Sequence, residues 1–409
     1  MPSKYGWVIV AYGALATCIS LGCLMSLGVF LVPMATSTGW TRAGISSAAT
    51  IGFVCMALGS IGFGALSDKF GTRIVVQGGA LLLGAGLMLA SQMTSVLAFQ
   101  FVFGISVGFA CGSVYVPVTT AAASWFTRNR SIAVALVSAG MGLGSTLIGP
   151  LSQAIMNHYD WRVAMFSLSF LAFGVMLPGA FLLRPAPAAT AADPVAAADT
   201  SETSTMTARQ AFRTPQFAAL ALANCACCMA HSGPIFHMVS YASLCGLSSM
   251  TAVSVFGTAG LAGVGGRLLL GVAADRFGAQ KVLVAGLIVQ AAMISLYPLA
   301  RDAASLYLLA VLFGMAYGGV MPLYALLVRE FFSSRIMGTL FGAVSMAATF
   351  GMALGPVVGG WLFDRFGGYV WLYMASCGIG VAAVAIACLI RPPRGSVTGR
   401  ATVLASPTG

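Results

Sequence analysis

The feature that most restricts this chain is a recurrence of apolar runs, each about 20 residues long, from one end to the other. That is the length at which an α-helix crosses the ~30 Å hydrocarbon core of a bilayer. Twelve spans are predicted, over about 6–35, 43–66, 73–91, 96–125, 131–156, 161–184, 216–244, 250–274, 280–300, 304–330, 336–361 and 369–390. Lipid offers no partner to a backbone N–H or C=O, so a helix, which satisfies its own backbone, is the natural form for such runs. A transmembrane β-barrel would instead show short alternating segments. The expected fold class is therefore an all-α polytopic membrane protein. With 59% hydrophobic and 7% charged residues, 409 residues cannot cover themselves as a soluble domain. Met1–Lys4 leads straight into the first span without a small-residue cleavage site, so no cleavable signal peptide is expected.

The net charge of +11 does not indicate nucleic acid, because the basic residues sit in short turns between spans. With the N-terminus inside, fifteen Lys and Arg fall on the cytoplasmic side and four, Arg42, Arg162, Arg301 and Arg365, fall outside. The positive-inside rule then puts both termini in the cytoplasm. The ten cysteines lie almost entirely in apolar segments, where cysteine behaves as a small hydrophobe, so no disulfide framework is expected. Cys225, Cys227 and Cys228 cluster, but neighbouring positions on a helix point apart, and neither a metal site nor a cofactor is expected.

One segment interrupts the pattern. Residues 185–214 are rich in Ala, Pro, Thr and Ser and read as a polar cytoplasmic linker. It separates an N-terminal six-helix bundle (1–184) from a C-terminal one (215–391), followed by a tail (392–409). The halves echo one another. Gly64 to Gly71 reads GALSDKFG, and 207 residues later Gly271 to Gly278 reads GVAADRFG; Gly149-Pro150 recurs as Gly355-Pro356. Duplicated six-span halves indicate a pseudo-symmetric transporter with its site between the halves.

Nineteen of the twenty basic residues are thus assigned to a membrane side. Arg267 is the exception, inside an apolar helix, where a central charge costs about 2.5–3.5 kcal/mol on insertion scales. All nine acids fall in turns or at helix ends. Asp275, eight residues on, is about 12 Å away along a helix.

These residues carry a resemblance. Gly64-x-Leu66-x-Asp68-Lys69-x-Gly71-x-Arg73, repeated in the second half, resembles the loop 2–3 signature of the major facilitator superfamily. Tyr115-Val-Pro117, Trp125 to Ala133, Ala139 to Gly144, Asp160-Trp161-Arg162, His237 to Ala242 and Gly266-Arg267 to Gly271 are similar to the monocarboxylate transporter family. The resemblance implies the major facilitator fold, with twelve helices in two six-helix bundles. It also implies that the span-8 arginine, here Arg267, binds a substrate carboxylate. The chain departs from the family in two ways. Met25 stands where many animal members carry a span-1 lysine, and no acid precedes Arg267 within residues 263–266. Gln100 stands where many members of the superfamily carry a span-4 arginine.

The candidate substrate-binding residues are Arg267, Tyr115, His237, Asn224, Tyr317 and Tyr324. A guanidinium offers a planar fork matched to a carboxylate. Tyr115 beside Pro117 offers a hydroxyl, and His237 is the histidine expected to line the cavity, with His231 expected to bond a neighbouring helix. Asp68, Lys69, Arg73, Asp275 and Arg276 are expected to gate the cytoplasmic end as charge latches. Gly351-x-x-x-Gly355-Pro356-x-x-Gly359-Gly360 reads as a close-packing kink. No nucleophile–base or metal constellation marks an enzyme, and no soluble output domain marks a sensor. The expectation is a monomeric alternating-access carrier of a small monocarboxylate in a bacterial inner membrane. The alternative is efflux of another organic anion or an amphipathic drug. If protons are co-transported, His237 or the substrate carries them.

Overall fold

The computed structural model describes residues 4–126, 130–186, 207–332 and 336–390. The predicted linker lies largely outside these residues, and the tail, Arg128 and Arg335 lie wholly outside them. Twelve helical spans are present: Lys4–Thr38, Arg42–Phe70, Thr72–Ala90, Val96–Ser124, Ile132–Met156, Trp161–Leu182, Pro215–Leu244, Ser249–Phe277, Ala279–Leu299, Ala303–Phe331, Thr339–Phe366 and Val370–Leu389. They are called spans 1 to 12 below. Several overrun the sequence expectation. Apolarity marks only the lipid-crossing part of a helix, whereas capping side chains decide where it ends. Thr41 caps span 2 through the Gly44 amide at 3.1 Å, and Asp160 caps span 6 through the Val163 amide at 2.9 Å.

Spans 1 and 6 depart from regular helix within their length, and span 9 ends in a 3-10 turn over Tyr297–Leu299. Span 1 breaks at Ser26, between runs Lys4–Met25 and Leu27–Thr38. Span 6 opens into a π-turn over Ala172–Met176 just before Pro178. Proline cannot donate back along the ladder, and π-turns relieve such local defects.

The duplication is visible in the backbone. The signature turns close on Gly71 (φ 86°, ψ 146°) and Gly278 (φ 90°, ψ 140°). Each donates its N–H four residues back, to Ser67 and Ala274, at 2.9 Å. A side chain is disfavoured at that positive φ, which explains glycine at both places.

Within each bundle, helices meet through small residues, since lipid supplies no hydrophobic drive for helix association. Spans 8 and 10 illustrate this. A Cβ on Gly314 would strike the Ala259 carbonyl, one on Gly318 the Gly263 carbonyl, and one on Gly266 the Met315 carbonyl. The span-11 glycines act in the same way. Gly351 seats the Cys225 carbonyl, Gly355 the Ser232 side chain and Gly359 the His237 ring.

The two bundles meet asymmetrically. Among the described residues, the hydrogen bonds between them lie in the half carrying Arg42 and Asp364, apart from Arg267–Ser138, which lies somewhat past the middle towards the signature turns. Thr50 on span 2 donates to the Ala353 carbonyl of span 11 at 2.6 Å, and Thr146 on span 5 to the Gly257 carbonyl of span 8 at 2.9 Å. Apolar side chains interdigitate there too: Phe236 and Ala353 join the N-terminal core, and Val29 joins the C-terminal one. Towards the opposite end, at the signature turns themselves, no hydrogen bond joins the bundles among the described residues, and that end is the open one.

Gly318→Val is expected to destabilise the protein by about 1–3 kcal/mol through overpacking against span 8. Gly342→Val, facing open space, should leave thermal unfolding in detergent nearly unchanged; equal midpoints for the two variants would refute this account of the packing.

Candidate functional site

Arg267 projects from span 8 and is half-buried. Its Nη1 donates to the Ser138 carbonyl of span 5 at 2.6 Å, in the opposite bundle. A charge-assisted bond to a carbonyl answers part of the desolvation cost that the sequence raised. Among the described residues this is its one hydrogen bond to protein, so most of its donor fork is left for another group. Every described acid sits at a helix end or beside one.

Ser138 also meets Tyr115. The Tyr115 hydroxyl of span 4 lies 3.3 Å from the Ser138 hydroxyl. Ser138 thus holds Arg267 by its carbonyl and touches Tyr115 by its side chain. Both tyrosine and serine are half-buried and retain hydrogen-bonding capacity. A third member arrives from span 10. Gly263, one turn from Arg267, leaves room for the Tyr317 hydroxyl, which lies 3.4 Å from where a Cβ would sit. Tyr317 packs beside Phe313 at 5.3 Å and beside the His231 ring, also at 5.3 Å. The arrangement is a cation with several hydroxyls, drawn from spans 4, 5, 8 and 10, at the junction of the bundles. It can bind a small anion through the guanidinium and orient it through hydroxyl groups.

The other candidates lie elsewhere. His237 is fully buried at the closed end, with Nε2 at 2.9 Å from the Pro356 carbonyl and Nδ1 at 3.2 Å from the Tyr369 hydroxyl. Tyr369 in turn accepts from Arg42 Nη1 at 2.6 Å. With both ring nitrogens engaged, His237 is a tie between spans 7, 11 and 12. Asn224 is buried and donates to the Val344 carbonyl at 3.4 Å, joining spans 7 and 11. Tyr324 is fully buried in the lower core of the C-terminal bundle. His231, expected to bond a neighbouring helix, instead sits against Tyr317, with Cys227 of its own helix 4.0 Å from Nδ1.

The signature residues Asp68, Lys69, Arg73, Asp275 and Arg276 are all exposed at the open end. Lys69 lies over the Phe70 ring and Arg73 over the Phe181 ring. Gln100 is structural, donating to the Gly44 carbonyl at 2.8 Å.

Ser138 was not among the expected site residues. Its contribution to Arg267 is made by a backbone carbonyl, which every residue type carries. The one available hint was its position just ahead of the Ala139–Gly144 stretch already matched to a family.

Comparisons with known proteins agree with this architecture. The family model described as Major Facilitator Superfamily matches residues 13–272 and 254–404. Monocarboxylate transporter 13 from Bos taurus is 28% identical over 367 residues, covering 89% of this chain and 84% of that protein. Monocarboxylate transporter 11 from Homo sapiens is 27% identical over 398 residues, covering 91% of this chain and 80% of that protein. Among solved structures, a bacterial homologue of the human lysosomal transporter Spinster, in an inward-facing and occupied conformation, superposes with a TM-score of 0.77. It has 14% identity and covers 95% of this chain and 97% of that one. The nucleoside transporter NupG superposes with a TM-score of 0.74 at 14% identity, covering 95% of this chain and 100% of that one. With a duplicated twelve-helix architecture and a family match across nearly its whole length, the chain belongs to the major facilitator superfamily of membrane transporters, and its relatives there include monocarboxylate transporters.

Proposed function

We propose that this protein is a secondary transporter of small organic anions, monocarboxylates of the lactate and pyruvate kind, working by alternating access. The observation that carries the reading is Arg267: an intramembrane guanidinium with one hydrogen bond to protein, to the Ser138 carbonyl, and hydroxyls converging beside it. An arginine keeps its charge at any physiological pH, so its natural partner is an anion. A carboxylate fits the free part of the fork, Tyr115 and Tyr317 offer hydroxyls on the neighbouring helices, and the monocarboxylate transporters among the relatives point the same way. Binding neutralises the cation and favours closure of the bundles around the occupied site, the differential affinity that a carrier requires.

The excess of Lys and Arg supports placing both termini in the cytoplasm, so that the open end is the inward one. In this reading the chain acts as a monomer in a bacterial inner membrane, and the exposed signature residues Asp68, Lys69, Arg73, Asp275 and Arg276 engage when that end closes. His237 is assigned to the closed end rather than to the anion. If protons travel with the substrate, His231, beside Tyr317, or the substrate itself carries them.

Labelled lactate or pyruvate should accumulate in proteoliposomes, and absence of uptake for every monocarboxylate in a folded sample would reject the assignment. Arg267→Lys and Arg267→Ala should weaken carboxylate binding about 10- to 100-fold, measured calorimetrically, since a charge-assisted contact contributes roughly 1.5–3 kcal/mol. Retained affinity would show that the carboxylate binds elsewhere. Tyr115→Phe and Ser138→Ala should each weaken binding by about fivefold or less, with the double variant little worse than either, because they share one hydrogen bond. His237→Gln should slow turnover while preserving the shape of the pH–rate profile; a vanished acid-activated limb would instead make His237 the proton-linked group.

A further inference from the structure

We propose that Asp364 is a gating residue of the transport cycle: its carboxylate, on span 11, caps the first turn of span 2 in the opposite bundle and holds that end shut. The first amides of any helix lack intrahelical partners. At span 2 the Gly44 amide is taken by Thr41 of the same chain turn, at 3.1 Å. The Arg42 amide donates to Asp364 Oδ1 at 3.1 Å, and the Ala43 amide to Oδ2 at 2.8 Å. Both carboxylate oxygens are therefore spent on backbone donors across the bundle interface. A negative charge at a helix N-terminus is also favoured by the helix dipole.

The approach that allows this is built into span 11. Gly360 lies one turn before Asp364, and a Cβ there would fall 2.7 Å from the Ala43 nitrogen and Cα. The glycine lets the two helices touch, and the touch delivers Asp364 to the amides. Arg42 makes a separate tie. Its guanidinium lies 3.6 Å from the Phe363 ring centroid and donates to Tyr369, which meets His237.

Two other aspartates at the same end supply the contrast. Asp160 accepts from Val163 at 2.9 Å and Asp302 from Ser305 at 3.0 Å, each capping its own helix. Their bonds survive a relative motion of the bundles. The Asp364 bonds do not, because acceptor and donors belong to different bodies. Opening this end must return a carboxylate and two amides to water. Asp364 is exposed, so that exchange is moderate and reversible, as a gate requires.

The inference needs the chain to open alternately at its two ends, but it does not depend on what is carried. The test is a distance measurement by electron–electron double resonance in nanodiscs, without substrate. Spin labels are carried on a non-canonical amino acid at Tyr159 and Leu299, both exposed and on opposite bundles at this end. Asp364→Ala should raise the ratio of separated to closed distances about fivefold, the usual effect of losing a cap. Asp364→Asn, which keeps one carbonyl oxygen, should shift it less and in the same direction, and Asp160→Asn should not shift it. Unchanged distances in a folded Asp364→Ala protein, or an equal shift in Asp160→Asn, would overturn the proposal. Should the alanine variant fail to fold, unchanged distances in Asp364→Asn overturn it alone. Failure of monocarboxylate uptake would leave this result standing, so the two readings fail separately.

Discussion

A guanidinium cannot shed its charge, so wherever a helix carries Arg267 into the membrane, something must solvate it. In this protein part of the answer is the Ser138 carbonyl, which belongs to the other bundle. The bond therefore has two effects. It lowers the cost of the buried cation, and it ties spans 5 and 8 across the interface where transporters of this fold change shape. It also leaves most of the donor fork free. In the proposed cycle, an incompletely solvated charge at this junction would make anion binding and bundle motion parts of one process.

The interface itself is built from small residues. In lipid, helix contact relies on close van der Waals packing rather than on removal of apolar surface from water. Gly142 and Gly260 meet backbone to backbone beside the Thr146–Gly257 bond, and Gly360 meets Ala43. Such contacts are short-ranged and can be broken and remade without unfolding either bundle. Polar ties such as Thr50–Ala353 and the Asp364 cap fix their register. The histidine that sequence reasoning aimed at the substrate, His237, belongs to this set of ties.

Legibility varied with how local each property was. The twelve spans were readable because lipid demands about 20 apolar residues per crossing, a property of neighbours in sequence. The duplication was readable from GALSDKFG and GVAADRFG, and the matching positive φ of Gly71 and Gly278 gives that repeat a backbone reason. The ends of span 1 and its break at Ser26 were not readable, since caps and kinks depend on what packs alongside. Arg267 stood out because a lone intramembrane charge is anomalous whatever its surroundings. Tyr115 was legible as a hydroxyl beside Pro117; Tyr317, Tyr324 and Asn224 were equally reasonable by residue type, yet only Tyr317 lies beside span 8 near Arg267, while Tyr324 and Asn224 face the packing between helices.

The sequence by itself therefore determined the solvent, the number of crossings, the two-fold repeat and the position of the one unassigned charge. Each follows from composition and spacing along the chain. Only the tertiary structure decided which groups meet that charge, which end of the molecule is closed, and which polar residues serve as ties between helices. Those outcomes depend on residues far apart in the chain and often on backbone atoms. Ser138 supplies a carbonyl, and Arg42 and Ala43 supply amides, and no residue type announces in advance which other helix its backbone will face.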